Sequence, residues 1–370
     1  MPFARNEQTL RMKRRFGQET PASAWTAIAL AFWAALVLPD AARVRAAEAQ
    51  AAALPSLAGL AETALRTAPA KELFGSAKLP AALPPQPYGF YSRGCAAGNV
   101  AMPLTGPYWQ VMRPERNRYW GQPVLIDFLE RFARMAHEKD GWPGLLIGDL
   151  SQPRGGPMTS GHASHQIGLD ADIWLTPMPA RVLTIDERNT MSAVLMTLDR
   201  RRINPQRFTE RHARLIRRAA LQPEVQRIFV HPPIKKYLCD FARRIGDRDR
   251  SWLAKVRPYY GHNYHFHIRL RCPQGARWCK DQGDPRPKDG TGCGAELAYW
   301  YSDRPWGGGR KKARPKFVNG IPLPRPRPHK RKPRPPVTLA ALPKQCTKVL
   351  LAPAPASARQ RASAHGHLSR

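Results

Sequence analysis

None of the 6 cysteines in this chain stands in a Cys-x-x-Cys pair, which removes thiolate zinc sites and dithiol redox chemistry from consideration. The His-Glu-x-x-His signature is missing, and neither histidine-rich segment contains a glutamate. A metal-assisted hydrolase with that kind of glutamate base is thereby excluded. Acids are scarce: 27 Asp and Glu stand against 60 Lys and Arg, a formal net charge of +33. The apolar run Ala24–Leu38 is alanine-rich and shorter than the ~20 residues a helix needs to cross a bilayer. Any metal site must be assembled from His and Asp.

Those residues are concentrated. Ser160-Gly-His-Ala-Ser-His-Gln-Ile-Gly-Leu-Asp-Ala-Asp172 and Gly261-His-Asn-Tyr-His-Phe-His267 together hold five histidines and two aspartates, and only six histidines lie elsewhere. A catalytic zinc site takes three protein N or O ligands and keeps a fourth position open. Side chains two apart in a strand share a face. Tyr264 to Leu270 reads as such a strand, with Phe266, Ile268 and Leu270 toward a core and His265, His267 and Arg269 opposite. Gly168 to Trp174 reads likewise, with Leu169, Ala171 and Ile173 on one side and Asp170, Asp172 and Trp174 on the other. His165 sits in the preceding loop, which Gly161 and Gly168 allow to fold back. Adjacent strands of this kind gather His165, Asp172 and His267 around one ion. Asp170 is placed to orient a ligand. Spacing alone leaves open which histidine binds and which moves protons; an imidazole can take a proton near neutral pH.

The pattern His-x-x-Gly with an acid seven residues after that histidine, answered by a distant His-x-His, resembles a group of zinc peptidases. The group includes D-Ala-D-Ala carboxypeptidases, dipeptidases and the penicillin-insensitive murein endopeptidases. The last are the most similar, through Gly148-Asp-Leu-Ser-Gln152, Ser160 to Trp174, Lys255-Val-Arg-Pro258, His265 to Cys272 and Gly292-Cys-Gly-Ala-Glu-Leu297. The resemblance spans about Tyr88 to Trp300. It implies zinc ligands at His165, Asp172 and His267, a catalytic His265 with His262 as auxiliary, and His162 close to the metal. It further implies hydrolysis of the murein cross-link between D-alanine and meso-diaminopimelate, and the disulfides Cys95–Cys346, Cys239–Cys293 and Cys272–Cys279. Local sequence independently favours only Cys272–Cys279, a short loop containing Pro273 and Gly275; six thiols otherwise permit fifteen pairings. Two competing readings are a zinc enzyme that trims D-Ala-D-Ala termini and a glycan-binding protein with structural zinc.

Arg11, Lys13, Arg14 and Arg15 before the apolar run, and small-residue sites such as Val44-Arg-Ala46 after it, read as a signal peptide over residues 1–46. The expected location is the periplasm. An Ala/Pro-rich lead-in follows at 47–86, then the zinc endopeptidase domain at 87–303 and a basic, proline-rich tail at 304–370. That tail carries 17 Lys and Arg and no acid. Ile321 to Pro336 is expected to be extended. Behind an export signal its partners would be anionic glycans rather than nucleic acid, or it serves as a solvated linker. Cross-linked peptidoglycan is the expected substrate.

Helical spacing is clear in Pro123 to Ala136 and Phe208 to Ala220, and short helices are expected at Lys235 to Arg244 and Ser251 to Val256. Leu145 to Leu150 and Arg227 to Val230 read as strands. Helices and strands mix without a βαβ repeat, so the fold class is α+β with a mainly antiparallel central sheet flanked by helices. The resemblance adds the D-Ala-D-Ala-metallopeptidase/hedgehog-like fold, stabilised by disulfides. Gln152 and Arg154, in a turn before the histidine motif, are candidate substrate contacts, and Trp174 is either a cleft wall or a core residue. His137, His212, His231 and His329 have no partner pattern and are assigned to structure or solvent.

Overall fold

A computed structural model of the chain describes residues 63–307, 317–318, 321–322 and 335–356; the signal-peptide reading, His329 and much of the basic tail lie outside them. In chain order the elements are α1 (Ala70–Ser76), β1 (Gln86–Phe90), β2 (Arg93–Ala97), β3 (Val100–Ala101), β4 (Thr105–Gly106), β5 (Trp109–Val111) and β6 (Trp120–Gly121). Then come α2 (Pro123–Asp140), β7 (Leu145–Ile147), β8 (Asp170–Trp174), α3 (Ile185–Thr190), α4 (Glu210–Leu221), β9 (Val225–Val230) and α5 (Pro232–Arg244). The remainder are α6 (Trp252–Lys255), β10 (Val256–Pro258), β11 (His265–Leu270), α7 (Ala295–Tyr301), β12 (Phe317–Val318), β13 (Ile321–Pro322) and α8 (Gln345–Leu351). No helix among the described residues is long and apolar enough to cross a membrane.

Seven strands form the main sheet in the order β10-β9-β11-β8-β7-β5-β4. Only β10 with β9 and β5 with β7 run parallel; the other neighbours are antiparallel. The α+β expectation holds, with helices flanking a mainly antiparallel sheet. The alternation read from the two histidine segments is also realised. Phe266, Ile268 and Leu270 join Leu169, Ala171 and Ile173 in the main core. That core sets the register of β11 on β8, because a slip of one residue would turn its apolar side chains to the opposite face. His267 consequently stands across from Asp172 and Arg269 across from Asp170.

The helices close over the core for local reasons. Pro123 opens α2 where its missing N–H costs nothing, and Gly141 (φ 61°) ends it in the left-handed conformation that favours glycine. Between them Leu125, Phe128, Leu129 and Phe132 are buried. In α4, Leu215, Ile216 and Ala219 face inward while Arg211 and Arg214 face out. At its start the Thr209 N–H donates to His212 Nδ1 (3.0 Å), so this histidine is structural as expected. His137 is also structural, stacked on Tyr108 with centroids 4.4 Å apart.

Two polar devices tie the outer segments down. All three implied disulfides are present: Cys95–Cys346, Cys239–Cys293 and Cys272–Cys279, with Cα separations of 5.7, 6.0 and 5.8 Å. The first joins β2 to α8, and around it Phe74, Ala81, Leu339, Leu342 and Val349 form a smaller core. Backbone bonds reinforce the closure, with Ala70 N–H to Val337 O and Ala82 N–H to Pro353 O, each 2.8 Å. The second device is Lys235, fully buried on α5, which donates to Leu253 O (2.6 Å) and Thr291 O (2.7 Å).

Removing the long-range disulfide with Cys95→Ala/Cys346→Ala should lower stability by about 2–5 kcal/mol. It should also expose Lys344 and Lys348 to trypsin before the main core is cut. Urea midpoints and digestion patterns equal to those of the unaltered protein would show that the disulfide does not hold this segment.

Burial pushes the Lys235 ammonium down from its ordinary 10.5 to about 7. Between those values the unfolded chain binds more protons than the folded one, so stability rises as pH climbs from 7 toward 10. Urea unfolding at pH 7 and pH 9 should show this rise, and Lys235→Met should flatten it. Equal slopes in the two proteins would refute the assignment.

Candidate metal centre and cleft

Asp172 is the hub of the site. Its Oδ1 lies 3.4 Å from His165 Nε2 and 3.3 Å from His267 Nδ1; its Oδ2 lies 3.5 Å from His162 Nδ1 and 3.6 Å from His265 Nε2. The carboxylate is almost fully buried (4 % exposed). These separations exceed the 2.7–3.2 Å of a good hydrogen bond. They match two atoms each held about 2.0–2.2 Å from a shared tetrahedral ion, which stand roughly 3.3–3.6 Å apart. The coordinating atoms of His162, His165 and Asp172 all lie within 4.8 Å of one another.

In three of the four rings, His162, His165 and His267, the second nitrogen fixes which nitrogen is left free. His165 Nδ1 donates to Leu150 O (2.5 Å), leaving the Nε2 lone pair toward Asp172. His267 Nε2 donates to Asp170 Oδ1 (3.0 Å), leaving Nδ1. His162 Nε2 donates to Asp149 Oδ2 (3.0 Å), again leaving Nδ1. Outer partners of this kind orient metal-binding imidazoles. The buried atoms His165 Nε2 and Asp172 Oδ1 have no hydrogen-bond partner among the described residues. An unsatisfied buried polar atom costs about 1–3 kcal/mol, and a cation between these two removes that cost. The residues present fit a divalent metal with N and O ligands.

Backbone geometry brings His165 there. Its φ is +66°, with Gly161 at +86° and Gly168 at +73°. A histidine in the left-handed region is uncommon, and such strain persists only where neighbours impose it. Two contacts do so here: His165 N–H donates to Asp170 Oδ2 (2.9 Å), and Ser151 Oγ donates to His165 O (2.5 Å). Asp170 thus serves both histidine segments, and Arg269 Nε binds it as well (2.8 Å).

Electrostatics follow from this packing. Burial alone would raise both carboxyls. At Asp172, His265, His165 and His162 outweigh burial and hold the group well below the usual carboxylate range. At Asp170, Arg269 and His267 do the same. Burial pushes His265 down to about 4 against the pull of Asp172, so its ring is neutral at physiological pH. His262 is half-buried, its ring 5.0 Å from that of His265, with Nδ1 donating to Tyr260 O. Burial and the neighbouring histidines keep it neutral too.

All six residues singled out from the sequence, His162, His165, Asp172, His262, His265 and His267, therefore converge on one locus. Gln152 and Arg154 do not serve as expected. Gln152 Nε2 is spent on Gly155 O (3.0 Å) and Pro157 O (3.2 Å), and Arg154 Nη1 on Val349 O (2.9 Å) and Leu350 O (2.5 Å). The turn grips backbone carbonyls and α8 instead of facing the cleft. Trp174 proves to be both things at once, 4 % exposed yet lining the cleft with Tyr264, Arg113 and Arg116. Asp149 was not foreseen as part of the site. It collects His162, Arg116 (3.2 Å) and Arg118 (3.1 Å) on one oxygen. The only sequence signal for it is an acid directly after the β7 strand, in Gly148-Asp-Leu-Ser-Gln152.

A family model described as penicillin-insensitive murein endopeptidase matches residues 87–351. The penicillin-insensitive murein endopeptidase of Haemophilus influenzae is 45 % identical over 217 residues, covering 58 % of this chain and 73 % of that protein. The Klebsiella pneumoniae protein of the same name is 43 % identical over 216 residues, 58 % of this chain and 76 % of its own length. The one from Yersinia enterocolitica is 42 % identical over 245 residues, 66 % and 85 % of the two chains. With its histidine–aspartate cluster inside the matched span, the chain belongs to the penicillin-insensitive murein endopeptidase family.

Proposed function

We propose that this protein is a zinc-dependent murein endopeptidase working in the periplasm. Its substrate on this reading is the D-alanyl-meso-diaminopimelyl cross-link of peptidoglycan. The observation that carries the proposal is the pair of contacts at Asp172 Oδ1, with His165 Nε2 and His267 Nδ1 at 3.4 and 3.3 Å and no other partner for the buried His165 nitrogen among the described residues. His165, Asp172 and His267 are the ligands in this reading. His162 stands beside them on the Asp172 Oδ2 side. Zinc bound there supplies Lewis acidity toward the scissile carbonyl and toward water.

The chain's own groups supply the rest. His265 is neutral and presents Nε2 3.6 Å from Asp172 Oδ2, which places a proton acceptor at the edge of the centre. That nitrogen can return the proton to the leaving amine. His262, with Nδ1 committed to Tyr260 O, has Nε2 available for a hydrogen bond to the reacting groups. Asp170 and Asp149 keep His267 and His162 in the tautomers the site needs. The reaction does not pass through a serine acyl-enzyme, so a β-lactam has no nucleophile to block. Anionic glycan contact through the basic tail is part of the same proposal; most of that segment lies outside the described residues.

Incubation with purified cross-linked muropeptide dimers in the presence of penicillin should convert dimers to monomers. The conversion should stop with a chelator and return on adding zinc. Loss of a terminal alanine without conversion would instead identify a D-Ala-D-Ala trimming enzyme. His165→Ala should abolish metal binding and hydrolysis together; retained hydrolysis would refute the ligand set.

Asp170→Asn keeps the shape but weakens the hold on the His267 ring, and should reduce zinc affinity by about 10–100-fold. Competition with a chromophoric chelator measures this, and unchanged affinity would show that Asp170 serves only the fold.

A further inference from the structure

One wall of the cleft is not used by the chemistry above. Arg113, Arg116, Trp174 and Tyr264 line the same cavity as His162 and Asp172. Arg116 is committed to Asp149 (3.2 Å). Arg113 is different: no acid is paired with it among the described residues. Its guanidinium reaches only the carbonyls of Asn189 (3.5 Å) and Met191 (3.4 Å), both long for hydrogen bonds, and lies 5.8 Å from the centroid of the Trp174 ring. A half-buried guanidinium with no counter-charge is a ready partner for an anion.

The backbone shows that Arg113 is held in place. Its φ is +54°, and Asn117 at the far end of the Pro114–Arg116 turn has φ +53°. For arginine the left-handed region is strained and persists only where neighbours impose it. Arg113 N–H donates to Arg188 O (3.1 Å), and the buried Arg188 guanidinium is itself fixed by Leu183 O (3.0 Å) and Thr105 Oγ1 (2.7 Å). A strained loop braced in this way presents one unpaired cation to the cleft.

We propose that Arg113 is the carboxylate anchor of this cleft, binding the free carboxylate on the carbon that bears the leaving amine. The inference rests on the endopeptidase reading, in which that carbon is the diaminopimelate centre at the cross-link. A D-Ala-D-Ala terminus offers the same chemistry, a carboxylate on the leaving residue. The planar fork of Arg113 matches a carboxylate in bidentate fashion, which lysine cannot reproduce.

The test uses the zinc-loaded protein, a cross-linked muropeptide dimer with that carboxylate free, and the same dimer with it converted to the carboxamide. Arg113→Asn is the main variant, because asparagine tolerates the left-handed backbone, and Arg113→Lys keeps the charge. The unaltered protein should prefer the free acid. Arg113→Asn should lose about 10–100-fold in kcat/KM on the acid, change little on the amide, and retain its zinc content and melting temperature. Arg113→Lys should recover part of the loss. Equal losses on acid and amide, or no preference in the unaltered protein, would overturn the anchor while leaving the endopeptidase reading intact. Failure to cut either dimer, with acid-selective and Arg113-dependent release of alanine from a D-Ala-D-Ala peptide, would overturn the endopeptidase reading and keep the anchor. No turnover of either substrate would remove both.

Discussion

Four imidazoles around one buried carboxylate are the constraint on which the remaining structure depends. Asp172 sits on β8 beneath side chains from two separate segments, at 3.3 to 3.6 Å from nitrogens of His162, His165, His265 and His267. Gathering so many polar groups out of water is costly unless each is partnered. The partners come from farther out: Leu150 O for His165, Asp170 for His267, Asp149 for His162. Asp170 in turn needs Arg269, and Asp149 needs Arg116 and Arg118. The centre is thus supported by a shell of ion pairs on one face of the sheet. The opposite face, with Phe266, Ile268, Ala171 and Ile173 in the main core, supplies the rigidity that fixes the register.

This division of labour explains what was legible in the sequence. Period-two alternation in Gly168–Trp174 and Tyr264–Leu270 encodes both faces at once, so the core residues and the site residues could be assigned together. The long helices were legible for the same reason: α2 and α4 each bury one continuous apolar stripe. Several of the shortest strands were not, although the short helix at Trp252–Lys255 was. Strands of two or three residues such as β4 and β5 are too brief to show a period, and they exist because neighbouring backbone pairs with them. The strand expected over Leu145 to Leu150 ends at Ile147, because the chain turns there to carry Asp149 toward His162.

Site residues on loops were the hardest to foresee. Asp149 and His162 are joined across 13 residues, and no local pattern announces that contact. Arg113 lies on a loop whose unusual conformation shows only in its dihedral angles. Gln152 and Arg154 illustrate the reverse error. Proximity in sequence to the histidine motif suggested substrate contact, yet Arg154 reaches Val349 and Leu350, some 195 residues away, and grips α8. The cysteine pairing shows the same limit, since Cys95 and Cys346 are 251 residues apart; nothing local in the sequence selects that pair.

The charge balance of the cleft ties the site to its proposed substrate. Among the described residues two of the buried acids face guanidinium groups, Asp149 with Arg116 and Arg118 and Asp170 with Arg269, while the charge of Asp172, set among neutral imidazoles, is the one a divalent cation would balance. Arg113 remains in the same cavity as a cation without a carboxylate partner among the described residues, on a chain whose formal charge is already +33. Such a field draws anionic ligands toward the cleft and sets their orientation once they arrive. A peptide that carries a carboxylate beside its scissile amide satisfies both requirements, for the anion meets Arg113 while the amide is brought up to the histidine–aspartate centre.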